Sequence, residues 1–298
     1  MQDRGASILA KLQNKAKTSG KPLQLYLQLF CQEEFLRRLS LSAYAEHLIL
    51  KGGLYLYTLT NFESRPTVDV DFLLQRYNRS EQEIEKMILS ILNTATGNDF
   101  ITFEAKGFSP IALEREYQGI TFQIIGRIKN TRTPFHVDIG VGDVIVPAIE
   151  KHAIPVQLED FERPQVCTYS LESTIAEKFD AMLQRLELNS RMKDFFDIYY
   201  LAVSFDFNGA TLQKAIYETL KNRGTLYNNG SMSTITLLAE DQDIQIRWRQ
   251  TVRRMQLPAL TFPEVMDTIQ MLLAPVFQAL VAGTEYTQTW SAEAQSWH

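Results

Sequence analysis

The run VDVDFLLQ, residues 68–75, sets Asp69 and Asp71 one residue apart among apolar neighbours. An unpaired carboxylate is costly to bury, so two of them in an apolar run need a reason. Period two puts both on one face of a strand with Cα atoms about 6.5–7 Å apart, from where both reach a common point. Two like charges that close resist ionising together unless a cation compensates them. Mg2+ suits such a pair, because it takes hard oxygen ligands at about 2.0–2.1 Å and keeps water or phosphate oxygens in its shell. The spacing equally describes two aspartates on a solvated strand face, so other segments must decide.

Three segments bear on that choice. In FHVDIGVGD, residues 135–143, Phe135, Val137 and Ile139 share one strand face while His136 and Asp138 share the other. Asp138 is thus a third carboxylate for the same point if its strand neighbours the first. The GVG here lacks the continuation and the following βαβ unit of a dinucleotide-binding loop. In LKGGLYL, Gly52 and Gly53 separate a strand from a helix start. Backbone N–H groups there can approach an anion and a helix N-terminus adds a positive dipole, although a tight turn has the same composition. In the segment 171–201, Ile175, Phe179, Met182 and Leu186 form a buried helical stripe, and Lys178 and Arg185 line another edge. Lys193, Asp194 and Asp197 follow within one turn, with Lys193 and Asp197 able to pair at i,i+4.

The surrounding elements follow from periodicity. Residues 5–47 read as helical, with Leu25, Leu29, Leu36 and Leu39 at helical intervals among Glu33, Glu34, Arg37 and Arg38. HLILK reads as a short strand, LYLYTLTNF as a helix opening at the glycines, and VDVDFLL as a strand with Val68, Val70 and Phe72 on its inner face. Residues 80–95 predict an amphipathic helix capped by Ser80, with Glu83 completing a capping box. Strands follow near ITFEAK, GITFQIIGRIK and PFHVDIGVGD, predicting a mixed sheet with an antiparallel part. From about residue 165 strands give way to helical patterns at 171–189, 191–204, 210–222, 241–256 and 263–282, with KNRGTLYNNGSMS as the longest join. The fold class expected is α+β: a small mixed sheet flanked by helices over 1–164, and an all-helical domain over 165–298, divided near Pro164.

Composition narrows the function classes. The 298 residues are 45% hydrophobic and 22% charged, as in an ordinary globular chain. A net charge of −5 gives no global basic field for nucleic acid. On the helical pattern 241–256, Ile244, Trp248, Val252 and Met255 predict a buried stripe with Arg247, Arg249, Arg253 and Arg254 outward. Those arginines suit phosphate contacts or salt bridges to Asp241 and Asp243. The two cysteines, Cys31 and Cys167, form no metal-binding pair and read as buried thiols rather than a disulfide. The N-terminus reads as no signal peptide, and no apolar stretch is expected to reach the ~20 residues of a membrane span, which predicts a cytoplasmic protein without membrane association.

Together these segments resemble the AbiEii/AbiGii-type nucleotidyltransferase toxins, including the MenT group, of the DNA polymerase β-like superfamily. FLRRLSLSAYAEHLILKGG, SRPTVDVDF, HVDIGVGD and AEKFDAMLQRLELNSRMKDFFDIYYL carry the resemblance, which continues through LQKAIYETLKNRGT. It implies a nucleotidyltransferase core at 1–164, completed by the helical domain 165–298. It implies Mg2+, one ion or two, on Asp69 and Asp71 with Asp138 as a further ligand. It implies nucleotide binding by Gly52, Gly53, Arg65, Thr67 and Lys178, and catalytic roles for Asp69, Asp71, Lys178 and Asp194. Many relatives carry Ser or Thr after the glycine pair, where this chain has Leu54. The implied reaction moves NMP from an NTP to a tRNA 3′ end or a protein. The implied partner is an AbiEi-like antitoxin encoded alongside in a type IV toxin–antitoxin or phage-defence system. A small-molecule, antibiotic-type nucleotidyltransferase and a catalytically inactive nucleotide-binding protein are the alternatives.

Overall fold

A computed structural model describes residues 3–62, 64–67, 69–111, 119–185, 191–255, 257 and 259–298. Of the residues read above, Val68, Leu186 and the helical extensions over 186–189 and at 256 lie outside that range. The chain divides into two compact units, Met1–Gly142 with Glu150–Thr168, and Asp143–Ile149 with Tyr169–His298. Its class is α+β.

The first unit opens with α1 (Arg4–Ser19) and α2 (Leu23–Leu41), which the 5–47 helical pattern merges. Asp3 caps α1 by accepting from the Ala6 amide, and Gly20, at φ 70°, ends it in the left-handed region. Then come β1 (Leu48–Lys51), α3 (Gly52–Leu59), β2 (Asp69–Leu74), α4 (Glu81–Leu92), β3 (Ile101–Ile111), β4 (Gly119–Ile128), β5 (Thr131–Val141), β6 (Glu150–Ala153) and β7 (Gln165–Thr168). The strands form one seven-stranded sheet in the order β3-β4-β5-β2-β1-β7-β6. β2 runs parallel to β5 and β1 parallel to β7, while the remaining neighbours are antiparallel, so the sheet is mixed as expected. Both cysteines are free, buried thiols.

Helix α2 departs from the sequence reading. Glu33, Glu34, Arg37 and Arg38 do not flank the apolar stripe in solvent: all four are buried with it. Arg37 pairs with Glu33 and Glu34 at 2.6 Å each, and Arg38 Nε lies 3.3 Å from Glu34. Glu34 also accepts from the Thr96 hydroxyl at 2.5 Å and the Asn98 amide at 2.8 Å. Arg37 donates to the Glu162 carbonyl, and Arg38 to those of Leu92 and Ile101. Charges can enter a core only when paired and hydrogen-bonded in this way, and burial still pushes the Glu33 carboxyl above its ordinary range. In α4 Ser80 accepts from the Glu83 amide, but the Glu83 carboxylate pairs with Lys86 instead of returning to the cap, so half of the expected capping box forms.

The second unit contains α5 (Leu171–Arg185), α6 (Met192–Ser204), β8 (Phe207–Asn208), α7 (Gly209–Asn222), α8 (Ser231–Leu237), α9 (Gln242–Met255), α10 (Phe262–Ala282), β9 (Thr289–Ser291) and β10 (Ser296–Trp297). Strands therefore do not end near 165. β7 joins the main sheet, and β8, β9 and β10 make a second, three-stranded one in the order β10-β9-β8. Helix α8 begins inside the segment KNRGTLYNNGSMS, which the sequence reads as a join. On α9, Ile244 and Trp248 are buried as expected, whereas Val252 and Met255 are half-buried and Thr251 fills a core position. The four arginines are exposed, yet among the described residues none pairs with Asp241 or Asp243, and Asp241 accepts from the Ile244 amide at 2.9 Å. The expectation of no membrane-length apolar stretch is also corrected. The 21-residue α10 is long and apolar enough by composition. Its Val265, Met266, Ile269, Leu272, Leu273, Val276 and Phe277 are buried in the unit, which accounts for its hydropathy as core packing.

Candidate active site

On β2, Val70 and Phe72 are fully buried on one face while Asp69 and Asp71 stand half-buried on the other. The register of the parallel pair sets Asp69 beside His136 and Asp71 beside Asp138. Three carboxylates and an imidazole thus share one face of two adjacent strands. His136 Nδ1 lies 3.6 Å from Asp69 Oδ1. The neighbourhood that period two alone left conditional is supplied by strand order.

Asp138 shows the strain of that arrangement. Burial, and secondarily the charge of Asp69, raise its carboxyl above the ordinary range, against a lowering by the Thr121 hydroxyl and His136. Thr121 reaches it because β4 pairs with β5 in the register Thr121–Asp138. Asp138 Oδ1 is buried without a hydrogen-bond partner among the described residues. A buried, orphaned carboxylate oxygen beside two further carboxylates is the environment a divalent cation relieves. Among the described residues no group of three His, Cys, Asp or Glu side chains is placed to hold a metal ion. Mg2+ does not need three, because one or two carboxylates suffice when phosphate and water oxygens complete its shell. Asp69 and Asp71 are residues of the type that such a shell uses.

The glycine turn meets this face directly. Lys51 pairs with Asp71 across the antiparallel β1–β2 ladder, and Gly52 follows at φ +69°. A Cβ on Gly52 would lie 2.7 Å from Asp71 Cγ and closer still to Oδ2. Only glycine combines that backbone conformation with room for the carboxylate. A Cβ on Gly53 would lie 3.1 Å from Thr67 Oγ1 and 3.2 Å from Arg65 Nη1, so both side chains pack against the first turn of α3. Arg65 and Thr67 are buried there. Leu54, which follows the glycine pair, is buried and 2% exposed.

Lys178 and Asp194 belong to the second unit and meet each other within it. Lys178 on α5 is buried, and its Nζ donates to Asp194 Oδ1 at 2.9 Å and to Asp197 Oδ2 at 2.7 Å. Arg191 Nε lies 2.8 Å from Asp194 Oδ2. Asp197, which local spacing sets one turn after Lys193, accepts from a lysine on another helix. Thr121 and Asp197 were missed as site neighbours. Neither carries a local signal, because one depends on β4–β5 register and the other on the packing of α5 against α6. Elsewhere in this unit Arg223 binds Asp143, Glu177 and Asp180 at 2.8, 3.2 and 3.0 Å, an ion cluster that no spacing predicted.

A family model described as the nucleotidyl transferase AbiEii toxin of type IV toxin–antitoxin systems matches residues 34–280. No curated protein matches the sequence. Among solved structures, one described as a candidate nucleotidyltransferase from H. pylori is similar at 13% identity and a TM-score of 0.48, covering 86% of this chain and 98% of its own. JHP933 from Helicobacter pylori is similar at 13% identity and a TM-score of 0.44, covering 85% and 92% respectively.

Proposed function

The chain belongs to the AbiEii nucleotidyltransferase toxin family of type IV toxin–antitoxin systems, and from that premise we propose that it transfers NMP from an NTP to a tRNA 3′ end or a protein acceptor in a Mg2+-dependent reaction. The observation that carries the site is the carboxylate face of β2 and β5, with Gly52 leaving space for Asp71. Asp69 and Asp71 would hold Mg2+, with Asp138 as a further ligand, and the ion would supply neutralisation of triphosphate charge there. The acceptor hydroxyl oxygen bonds to the α-phosphorus as the bond from that phosphorus to the oxygen bridging the β-phosphate breaks; pyrophosphate leaves and the hydroxyl proton passes to water.

The chain's own groups bind and orient. Gly52 and Gly53 let the start of α3 approach phosphate oxygens, with the helix dipole favouring negative charge. Arg65 and Thr67, packed on Gly53, donate to the triphosphate. Within the second unit Asp194 holds Lys178, the cation that the family resemblance assigns to the nucleotide. Leu54 offers no hydroxyl after the glycine pair, whereas the Thr67 hydroxyl packs against Gly53. The reading includes a cytoplasmic setting, a role in phage defence and an AbiEi-like antitoxin, which need not bind the enzyme tightly.

The test is incubation with each α-labelled NTP, Mg2+ and either total RNA or lysate protein, for the native chain and for Asp69→Ala and Asp71→Ala. A labelled tRNA-sized band with the native chain alone supports the reading. A labelled protein replaces the acceptor and keeps the chemistry, and a labelled small molecule favours the antibiotic-type alternative. Transfer that persists in both variants removes the catalytic assignment.

A further inference from the structure

We propose that the outward face of α9 is a docking surface for RNA, on which Arg247, Arg249, Arg253 and Arg254 hold the phosphate backbone. The surface is complete within the second unit, and the choice of RNA over other polyanions rests on the reading that an RNA end accepts the nucleotide. Helix α9 is fixed by its inward face, where Ile244, Trp248 and Thr251 are buried. Trp248 donates its indole N–H to the Leu260 carbonyl at 2.8 Å, and its ring centroid lies 5.5 Å from that of Phe262 on α10. All four arginines are exposed. At about 3.6 residues per turn, Arg247 and Arg254 line one edge of the outward face and Arg249 and Arg253 the other. Exposed Ile246 and Gln250 lie between the two rows.

A helix face that serves only solubility carries both signs, paired three or four residues apart. Within α9 Asp243 is the single acidic residue against four arginines. Among the described residues none of the four has an ion-pair partner, Asp243 included, although it stands one turn before Arg247. The dipole at the helix C-terminus accounts for Arg253 and Arg254 in the last turn, but not for Arg247 and Arg249 in the middle. This local positive charge also runs against the chain's net charge of −5. The planar guanidinium fork suits bidentate contact with phosphate oxygens, which a lysine makes only as a point charge. A helix that lies on lipid turns its apolar face to the bilayer, whereas the apolar face of α9 is spent on the core of the unit. Phosphates on a nucleic-acid backbone are therefore the partner that the exposed charges match.

The experiment reads fluorescence anisotropy of labelled bulk tRNA, without NTP, across a salt series. It compares the full-length native chain with Arg247→Gln/Arg254→Gln, with Arg249→Gln/Arg253→Gln, and with the variant carrying all four changes. Lys214→Gln/Lys221→Gln, which removes two exposed charges from α7, is the control. Each arginine pair is expected to raise Kd on the order of 10-fold at low salt and to reduce the salt slope by about 2. The control should change both far less. Should the fourfold variant lose its thermal midpoint, the two pairs carry the test. Native Kd and slope in both pairs would overturn the proposal, as would an equal loss in the control. Tighter native binding to duplex DNA or to phosphatidylserine vesicles than to tRNA also overturns it, as does capture of polyglutamate that needs the arginines when tRNA binding does not. Arginine-dependent tRNA binding by a chain that transfers nothing to RNA keeps the surface and removes the tRNA acceptor. Transfer to tRNA with native KM in the fourfold variant removes the surface and keeps the reaction.

Discussion

Gly52→Ala separates what the fold needs from what the site needs. Gly52 sits at φ +69°. An L-residue there costs about 1–2 kcal/mol, which lowers the melting temperature of a domain of this size by about 2–8 °C. The second effect is local. The new Cβ would stand 2.7 Å from Asp71 Cγ and 2.9 Å from Asp71 Cβ, so the Asp71 side chain must turn away and the backbone beside it must give. Asp71 is half-buried rather than enclosed, so it can move without breaking the core, and the loss falls on cation binding. Transfer of α-labelled nucleotide is expected to fall at least 100-fold per folded molecule, an effect of about 2.7 kcal/mol or more. Mg2+-induced thermal stabilisation should disappear with it. Gly126→Ala is the control, because its Cβ would lie 2.5 Å from Cys31 Sγ in the core. Overpacking there costs about 1–3 kcal/mol and should leave the specific rate unchanged. The reasoning is refuted if Gly52→Ala keeps native specific activity, or if Gly126→Ala loses as much activity as Gly52→Ala.

Asp138→Asn should raise the melting temperature at pH 7 without added metal, because burial and Asp69 both oppose its charge, and should reduce the stabilisation given by Mg2+; calorimetry with and without Mg2+ reads both. Glu34→Gln should destabilise by about 3–5 kcal/mol in urea titration, since it removes the charge shared by two buried arginines. Burial pushes the Cys31 thiol up to about 12 from 9.0. Its contribution to stability is therefore complete below pH 9 and is lost as pH rises through about 12. Native protein should accordingly resist iodoacetamide at pH 8 and react only when unfolded.

Local chemistry was legible wherever a single period decides it. Alternation along β2 separates Val70 and Phe72 from Asp69 and Asp71, and Gly52 and Gly53 mark the exit from β1. The adjacency of Asp138 is a matter of register between strands far apart in sequence, which no local pattern encodes. The same limit explains α2. Its helical period is plain, but the partners that let Glu34, Arg37 and Arg38 enter the core are Thr96, Asn98, Ile101 and Glu162, all supplied by other elements. Asp241 illustrates competition instead of distance. Its carboxylate precedes the arginines of the same helix, and the first-turn amide of Ile244 takes it.

The two motifs that look separate in the sequence, the glycine pair and D-x-D, are one structural feature. Lys51 is the last residue of β1 and sits opposite Asp71, so the chain must leave the ladder at the position beside that carboxylate. Any side chain at the exit would occupy the space that Asp71 uses. Leu73, next on the same face, is fully buried, so the polar stretch of β2 is confined to Asp69 and Asp71. The carboxylates can then face a ligand only at this end of the strand, where the start of α3 also offers its amides. If this coupling is correct, moving the D-x-D by one residue along β2 should abolish transfer even with every side chain retained, because the shift would carry both aspartates to the buried face of Val70 and Phe72.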